Sequence, residues 1–342
     1  MVVKEAIILA GGFGTRLSPL TYTTPKPLLP ILNKPMISYI INQLPRETKT
    51  VIIASNYKNE QLEKFFEKND FGKSILINPE PKPLGTGGAV RFAEKYITGN
   101  FLVLNSDIIS SLNMEDMVKF HKNNRGFATI SLWPVEDVSE FGVVEIKNNM
   151  ISKFIEKPNP EEAPSNLINA GTYLFDLKIL DYIDKGFVSM EKEVFPRIIE
   201  SGKRFLGFPV VGFWIDVGRI KSYIEANKLL INRNNLDNVI GNWCKIEGIV
   251  EKSSIGENVE IGKNSVIKNS VIFDNVLIEE NVEVNESVVG MDASIGKNSN
   301  INNSVVGEGE KIEKNTIVEN KKIWTKEVPR NYPKKQIGNV VR

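Results

Sequence analysis

The second half of the chain repeats with a fixed step. The aliphatic residue that precedes a glycine or its equivalent recurs as Ile255, Ile261, Ile267, Ile272, Ile278, Val284, Val289, Ile295, Ile301 and Val306. Successive steps are 6, 6, 5, 6, 6, 5, 6, 6 and 5, so Ile255, Ile272, Val289 and Val306 stand 17 residues apart. Hexapeptide periodicity is the mark of a parallel β-helix: three short strands make one triangular coil, and each hexad's aliphatic residue points into the shaft. Alternating strands of a β-sandwich would not hold a 17-residue register over three turns. Asn258, Asn264, Asn281 and Asn298 suit tight corners that need a permissive backbone. The β-helix is expected over 245–322. Residues 323–342 lose the register and are basic (Lys326, Arg330, Lys334, Lys335), a tail expected to cap the helix or pack on a neighbouring subunit.

Residues 1–234 follow a different rhythm. Short apolar runs at Ala6–Ala10, Val51–Ser55, Ser74–Ile77, Phe101–Leu104 and Phe127–Leu132 alternate with helix-like stretches at Met36–Leu44, Glu60–Glu67, Gly88–Tyr96 and Met114–Lys122. That spacing indicates βαβ units and a mostly parallel sheet. Past Glu136 the pattern becomes strand pairs, Gly142–Ile146 and Ile151–Ile155, around an Asn148-Asn149 turn. Ile220–Asn232 reads as a closing helix and Asn232–Asn238 as a linker. The fold class is therefore α/β, a Rossmann-like mostly parallel sheet followed by a left-handed parallel β-helix.

Charge narrows the partners. With 43 Lys plus Arg against 42 Asp plus Glu, no global field attracts nucleic acid or an anionic membrane. No apolar run approaches the roughly 20 residues a membrane span needs, and the opening run is too short for a secretory signal. The single cysteine, Cys244, leaves no internal disulfide framework and no cysteine-based zinc site. A cytoplasmic protein is the expectation.

Chemistry concentrates after the first strand, in GGFGTRLSPL from Gly11 to Leu20. A glycine-rich turn after a strand brings backbone N–H groups to a ligand and forms an anion nest. Gly11, Gly12 and Gly14 do not have dinucleotide-fingerprint spacing, and no Gly-Lys-Ser/Thr of a P-loop follows. Arg16 lies in the loop and Lys26 in TTPKPLLPI, where Pro25, Pro27 and Pro30 stiffen the backbone. Two fixed cations suit a triphosphate carrying about four negative charges.

The run GGFGTRLSPLTYTTPKPLLPILNKPMI resembles the opening of nucleotidyltransferases that join a nucleoside triphosphate to a sugar 1-phosphate. Further elements similar to that family follow in order: PLGTGGA (Pro83–Ala89), LNSD (Leu104–Asp107), IEKP (Ile155–Pro158), NAGTYLF (Asn169–Phe175) and FWIDVG (Phe213–Gly218). MEKEVFPRI (Met190–Ile198) and FWIDVG are most like the members that make GDP-mannose. The resemblance implies a nucleotide site at Leu9, Ala10, Gly11, Gly12, Gly14, Thr15 and Arg16, with Gly85, Thr86 and Gly87 toward base and ribose. It implies Gly142, Glu156, Lys157, Asn169 and Gly171 around the sugar phosphate, and Asp107 and Asp216 as ligands of Mg²⁺. Asp107 also follows a buried-type strand, where open parallel sheets place their ligand crevice.

The implied reaction is in-line attack of the sugar 1-phosphate oxygen on the α-phosphorus, with Arg16 and Lys26 on the departing pyrophosphate and Lys157 on the nucleophile. A phosphate monoester is already largely ionised near pH 7, its second pKa being about 6, so no general base is required. This agrees with the single histidine, His121, expected as a helix-end residue rather than a catalyst. With no histidine after it, acetyl transfer by the β-helix is not expected; assembly as a homo-oligomer is. GTP with mannose 1-phosphate leads, ahead of UTP or dTTP with glucose 1-phosphate and of a non-catalytic nucleotide-sugar-sensing or assembly subunit. No single residue in the sequence reads guanine by itself.

Overall fold

The computed structural model describes residues 2–330, 332–333 and 340–341; Lys334 and Lys335 of the tail lie outside them. The chain divides into two compact units, Met1–Gly12 with Tyr39–Ile215, and Phe13–Ser38 with Asp216–Arg342. The division differs from the 1–234 domain read from the sequence. Residues 13–38 and the helix Ile220–Arg233 group with the β-helix. The reason is local bonding: the Tyr223 hydroxyl donates to the Pro30 carbonyl. The Leu32 N–H donates to Asn227 Oδ1 at 3.0 Å, and Asn33 accepts from Ser254 Oγ at 2.8 Å.

The first unit is built on a nine-stranded sheet, counted among the described residues. In chain order its strands are β1 (Glu5–Leu9), β2 (Thr50–Ser55), β3 (Ser74–Pro79), β4 (Phe101–Asn105), β5 (Ala128–Pro134), β6 (Gly142–Lys147), β7 (Met150–Glu156), β8 (Leu167–Phe175) and β9 (Phe205–Pro209). The spatial order is β3-β2-β1-β4-β8-β5-β9-β7-β6. The strands β3, β2, β1 and β4 run parallel, in the register Leu9↔Asn105, Leu9↔Ala54 and Ser55↔Pro79. The apolar runs of β1, β2 and β4 are buried on both faces, as expected of a parallel sheet covered by helices, while the edge strand β3 is only partly buried. The β6–β7 hairpin turns at Asn148 and Asn149, both left-handed at φ 52° and 65°, the primed-turn geometry that matches strand twist. One helix starts earlier than its pattern suggests, at Gly85 rather than Gly88, and ends at Phe92.

That register fixes which residues share an edge. The carboxyl ends of β1, β3 and β4 lead into Gly11, Glu80 and Asp107 respectively. Strand β8 runs antiparallel beside β4, with Thr172↔Leu104, so Asn169–Gly171 emerge at the same edge. Strand β6 joins through Ile168↔Val143, and β7 through Glu156↔Gly142.

In the second unit, parallel strands stack into three sheets, consistent with the left-handed parallel β-helix expected from the hexads. None of the ten aliphatic residues from Ile255 to Val306 is more than 1% exposed. Asn258, Asn264, Asn281 and Asn298 all take left-handed φ, between 52° and 59°. Their side chains also bond coil to coil: Asn264 to Asn281 at 3.2 Å and Asn298 to Asn315 at 3.0 Å. A second ladder runs at the same interval, the N–H groups of Ser270, Ser287 and Ser304 donating to the Oγ of Ser253, Ser270 and Ser287. The coils begin at Val239, ahead of the expected 245, and Val340–Val341 lies parallel to Lys322–Ile323. No helix among the described residues is long and apolar enough to cross a membrane.

Candidate active site

In the sheet unit, the edge at the strand ends gathers the residues expected around a sugar. A Cβ on Gly142 would lie 2.4 Å from Phe154 Cζ and 2.8 Å from Glu156 Oε2, so only glycine lets the Glu156 carboxylate sit there. Gly171 has φ 76°, and a Cβ there would meet Asn105 Nδ2 at 2.7 Å. Its N–H donates to Asn169 Oδ1 at 3.1 Å, and Asn169 Nδ2 donates to the Tyr173 hydroxyl at 3.0 Å. Strand β8 bulges between Asn169 and Tyr173, which re-aims these side chains.

The electrostatics tie the group together. Burial raises the Glu156 pKa, the nearby Glu191 raises it further, and Lys157 and Lys192 oppose both. Burial likewise lifts the Tyr173 phenol well above its ordinary value, reinforced by the negative charges of Glu191, Glu156 and Asp107 against the Asn169 hydrogen bond. Carboxylates and an amide clustered at a sheet edge are hydrogen-bonding groups of the kind that read hydroxyls. Lys157 follows Glu156 in a left-handed conformation, φ 50°, with its N–H donating to Phe141 O at 2.9 Å and its side chain exposed.

Gly85, Thr86 and Gly87, expected at base and ribose, are engaged within this unit. The N–H groups of Gly87 and Gly88 donate to Val188 O at 2.9 and 3.1 Å, and a Cβ on Gly85 would come within 2.5 Å of that same oxygen. The Thr86 hydroxyl donates to Glu191 Oε2 at 2.7 Å and accepts from the Met190 N–H at 2.9 Å. The glycines thus admit the backbone of the segment that opens the one-turn π-helix Met190–Val194, a geometry frequent at functional sites.

Two acids are given no role from the sequence, Glu80 outside any motif and Glu191 inside MEKEVFPRI. Glu191 links Thr86 to the Glu156 field. Glu80 is buried at the end of β3: its Oε2 accepts the Leu84 N–H at 3.1 Å, and its Oε1 would lie 3.2 Å from a Cβ on Gly11. Burial raises the Glu80 pKa, against the lowering effect of the Leu84 N–H. Glycine at position 11 therefore lets the first loop pack close against a buried carboxylate oxygen.

The second unit carries the expected phosphate ligands. Gly14 is left-handed at φ 67° and opens a 3₁₀ turn, Thr15–Leu17. A Cβ on Gly14 would meet Thr21 Cγ2 at 2.8 Å and Lys26 Cβ at 3.1 Å. The loop glycine thus seats the Lys26 stem, which is only 8% exposed, while Arg16 is exposed. Asp216 ends the short strand Trp214–Asp216. Gly218 is also tight: its Cβ would lie 2.9 Å from Asp216 Oδ1. Among the described residues no group of three or more His, Cys, Asp or Glu could hold a metal by itself. A carboxylate is an oxygen ligand of the kind a hard cation such as Mg²⁺ takes.

The family model described as Nucleotidyl transferase matches residues 5–233, and one described as GMPPB C-terminal domain matches 237–337. The "Probable mannose-1-phosphate guanylyltransferase 3" of Oryza sativa subsp. japonica is 41% identical over 277 residues, covering 77% of this chain and 76% of its own. The mannose-1-phosphate guanyltransferase beta-B of Xenopus laevis is 40% identical over 230 residues, 65% of this chain and 63% of its own. The crystal structure of HddC from Yersinia pseudotuberculosis, complexed with GMP-PN, matches with a TM-score of 0.56 at 27% identity, covering 67% of this chain and 100% of that one. The chain belongs to the nucleotidyl transferase family, its catalytic domain followed by a C-terminal domain of the GMPPB type.

Proposed function

We propose that the chain makes GDP-mannose and pyrophosphate from GTP and mannose 1-phosphate, and that it works in the cytoplasm. The names of its relatives support the sugar, and the family supports the reaction type. A sugar 1-phosphate oxygen forms the new bond to the α-phosphorus, the α–β phosphoanhydride bond breaks, and pyrophosphate leaves with its electron pair. Arg16 and Lys26 neutralise the leaving pyrophosphate, and Lys157 holds the nucleophilic phosphate. Glu156, Asn169 and the backbone at Gly142 and Gly171 hold the sugar. Asp107 and Asp216 would hold Mg²⁺, which when bound supplies charge neutralisation at the phosphates. Rate comes from position and fixed charge, as in other phosphoryl-type transfers.

The observation that carries the base assignment is Glu80, a buried carboxylate beside the loop glycine Gly11 and the N-terminus of PLGTGGA. An ionised carboxylate only accepts hydrogen bonds. Guanine offers two adjacent donors, N1–H and the N2 amine, which it can take together. Uracil and thymine offer one N–H flanked by two carbonyls, which it repels. A site that pairs with a substrate N–H discriminates strongly against analogues lacking it. Glu80→Gln keeps the volume and removes the double acceptor. The expected result is a GTP-over-UTP preference in kcat/KM that falls by about 10–100-fold, the discrimination of one good bidentate pair. An unchanged preference removes Glu80 from base reading.

A further inference from the structure

The tail beyond the last coil reaches back within its own unit to the Arg16 loop. Tyr332, only 2% exposed, sets its ring edge-on to Phe13 (centroids 6.0 Å, interplanar angle 77°) and to Tyr22 (4.7 Å, 89°). Tyr22 in turn meets Trp324 edge-on at 5.2 Å. The polar end of Tyr332 is equally specific. Its hydroxyl lies 2.7 Å from Thr21 Oγ1, across 311 residues of sequence, and 3.5 Å from Phe13 O. Thr21 Oγ1 in turn donates to Gly14 O at 3.0 Å, so Thr21 links the Tyr332 hydroxyl to that carbonyl. One residue before Ile323, Lys322 donates from Nζ to Arg16 O at 3.0 Å.

These contacts end on backbone carbonyls of a loop whose expected work is done by its N–H groups. A planar trans peptide points its N–H opposite to its carbonyl. Holding Gly14 O toward Thr21 and the tail therefore turns the Thr15 N–H away from them, as the N–H groups of an anion nest are turned. The Leu17 N–H closes the turn on Gly14 O at 2.9 Å. A tail that served only as a plug for the shaft could bury Trp324 without a hydroxyl relay to Gly14.

We propose that Tyr332 and Lys322 are positioning residues for the nucleotide triphosphate: the tail of the β-helix unit holds the Phe13–Leu17 loop in its phosphate-binding shape. The proposal rests on reading Arg16 and its loop as the phosphate site. Tyr332→Phe keeps the ring and removes only the hydroxyl, and Lys322→Met keeps the stem and removes the ammonium. In the full-length protein without nucleotide, hydrogen–deuterium exchange at 13–17 is expected to quicken in both variants. Each variant should raise the KM for GTP about tenfold, the effect of losing one hydrogen bond, with the KM for mannose 1-phosphate unchanged. Wild-type exchange at 13–17 in both variants overturns the latch, and faster exchange with an unchanged KM for GTP overturns its coupling to the nucleotide. Arg16→Ala is the separate control: a wild-type KM for GTP there would defeat the phosphate reading itself, whatever the exchange shows.

Discussion

Burial pushes the His121 imidazole down to about 4, with a small opposing effect from Asp176. The side chain is 1% exposed, and Nδ1 shares a 2.7 Å hydrogen bond with the Thr129 hydroxyl. It is a neutral core group, so the one histidine of the chain is no acid or base for the reaction. Its consequence is for stability. The folded pKa lies below the ordinary value of 6.5, so protons bind the unfolded chain more readily, and stability is lost as pH falls from 6.5 toward 4. By pH 5 the loss is about 2 kcal/mol. Denaturant unfolding at pH 7 and pH 5 should show that loss, and His121→Gln should remove most of it; an equal slope in the variant would assign the loss to other groups. Lys26 stands at the opposite extreme, a buried stem seated on Gly14. Lys26→Ala is expected to cut kcat/KM by at least about 10²–10³, the cost of one preorganised group that stabilises transition-state charge, with the protein still folded. Near-normal turnover would take Lys26 out of the site.

At the scale of elements, the β-helix is stabilised by a column of identical small contributions. Ile278→Ala should lower unfolding stability by about 2–5 kcal/mol, the usual cost of truncating a fully buried isoleucine, measured by denaturant titration. A loss under about 1 kcal/mol would mean the shaft repacks around the gap. The column was legible in the sequence because its period repeats and each repeat reports the same environment. The Asn148-Asn149 hairpin was legible because both residues tolerate left-handed backbone. The start of the helix at Gly85 was not: the pattern places it at Gly88, yet Gly85, Gly87 and Gly88 are all helical and are small because Val188 and Gly186 approach their backbone. The roles of Glu80 and of Glu191, though the latter lies in MEKEVFPRI, were equally illegible. A single acid at a strand end or in a helical turn has no periodic partner, and its meaning comes from Gly11, Leu84 and Thr86, which only the folded chain brings beside it. The grouping of residues 13–38 with the β-helix was hidden for the same reason, since it depends on Asn33, Thr21 and Tyr332 finding partners more than 200 residues away.

For the whole molecule, the β-helix leaves two large apolar side chains in water, Trp243 at a turn (78% exposed) and Ile317 on a strand (74%). A homo-oligomer is expected, and sedimentation at micromolar concentration should give at least twice the 38.4 kDa chain mass; a sharp monomer would contradict it. The central claim, that this chain joins GTP to mannose 1-phosphate, is tested most directly by pyrophosphate release. The purified protein with Mg²⁺ would be assayed across GTP, UTP, dTTP, ATP and CTP against mannose, glucose and N-acetylglucosamine 1-phosphates. Turnover concentrated in GTP with mannose 1-phosphate is the predicted result. Turnover concentrated in UTP or dTTP with glucose 1-phosphate would overturn both the substrates and the role given to Glu80, and folded protein silent in every combination would point instead to a sensing or assembly subunit.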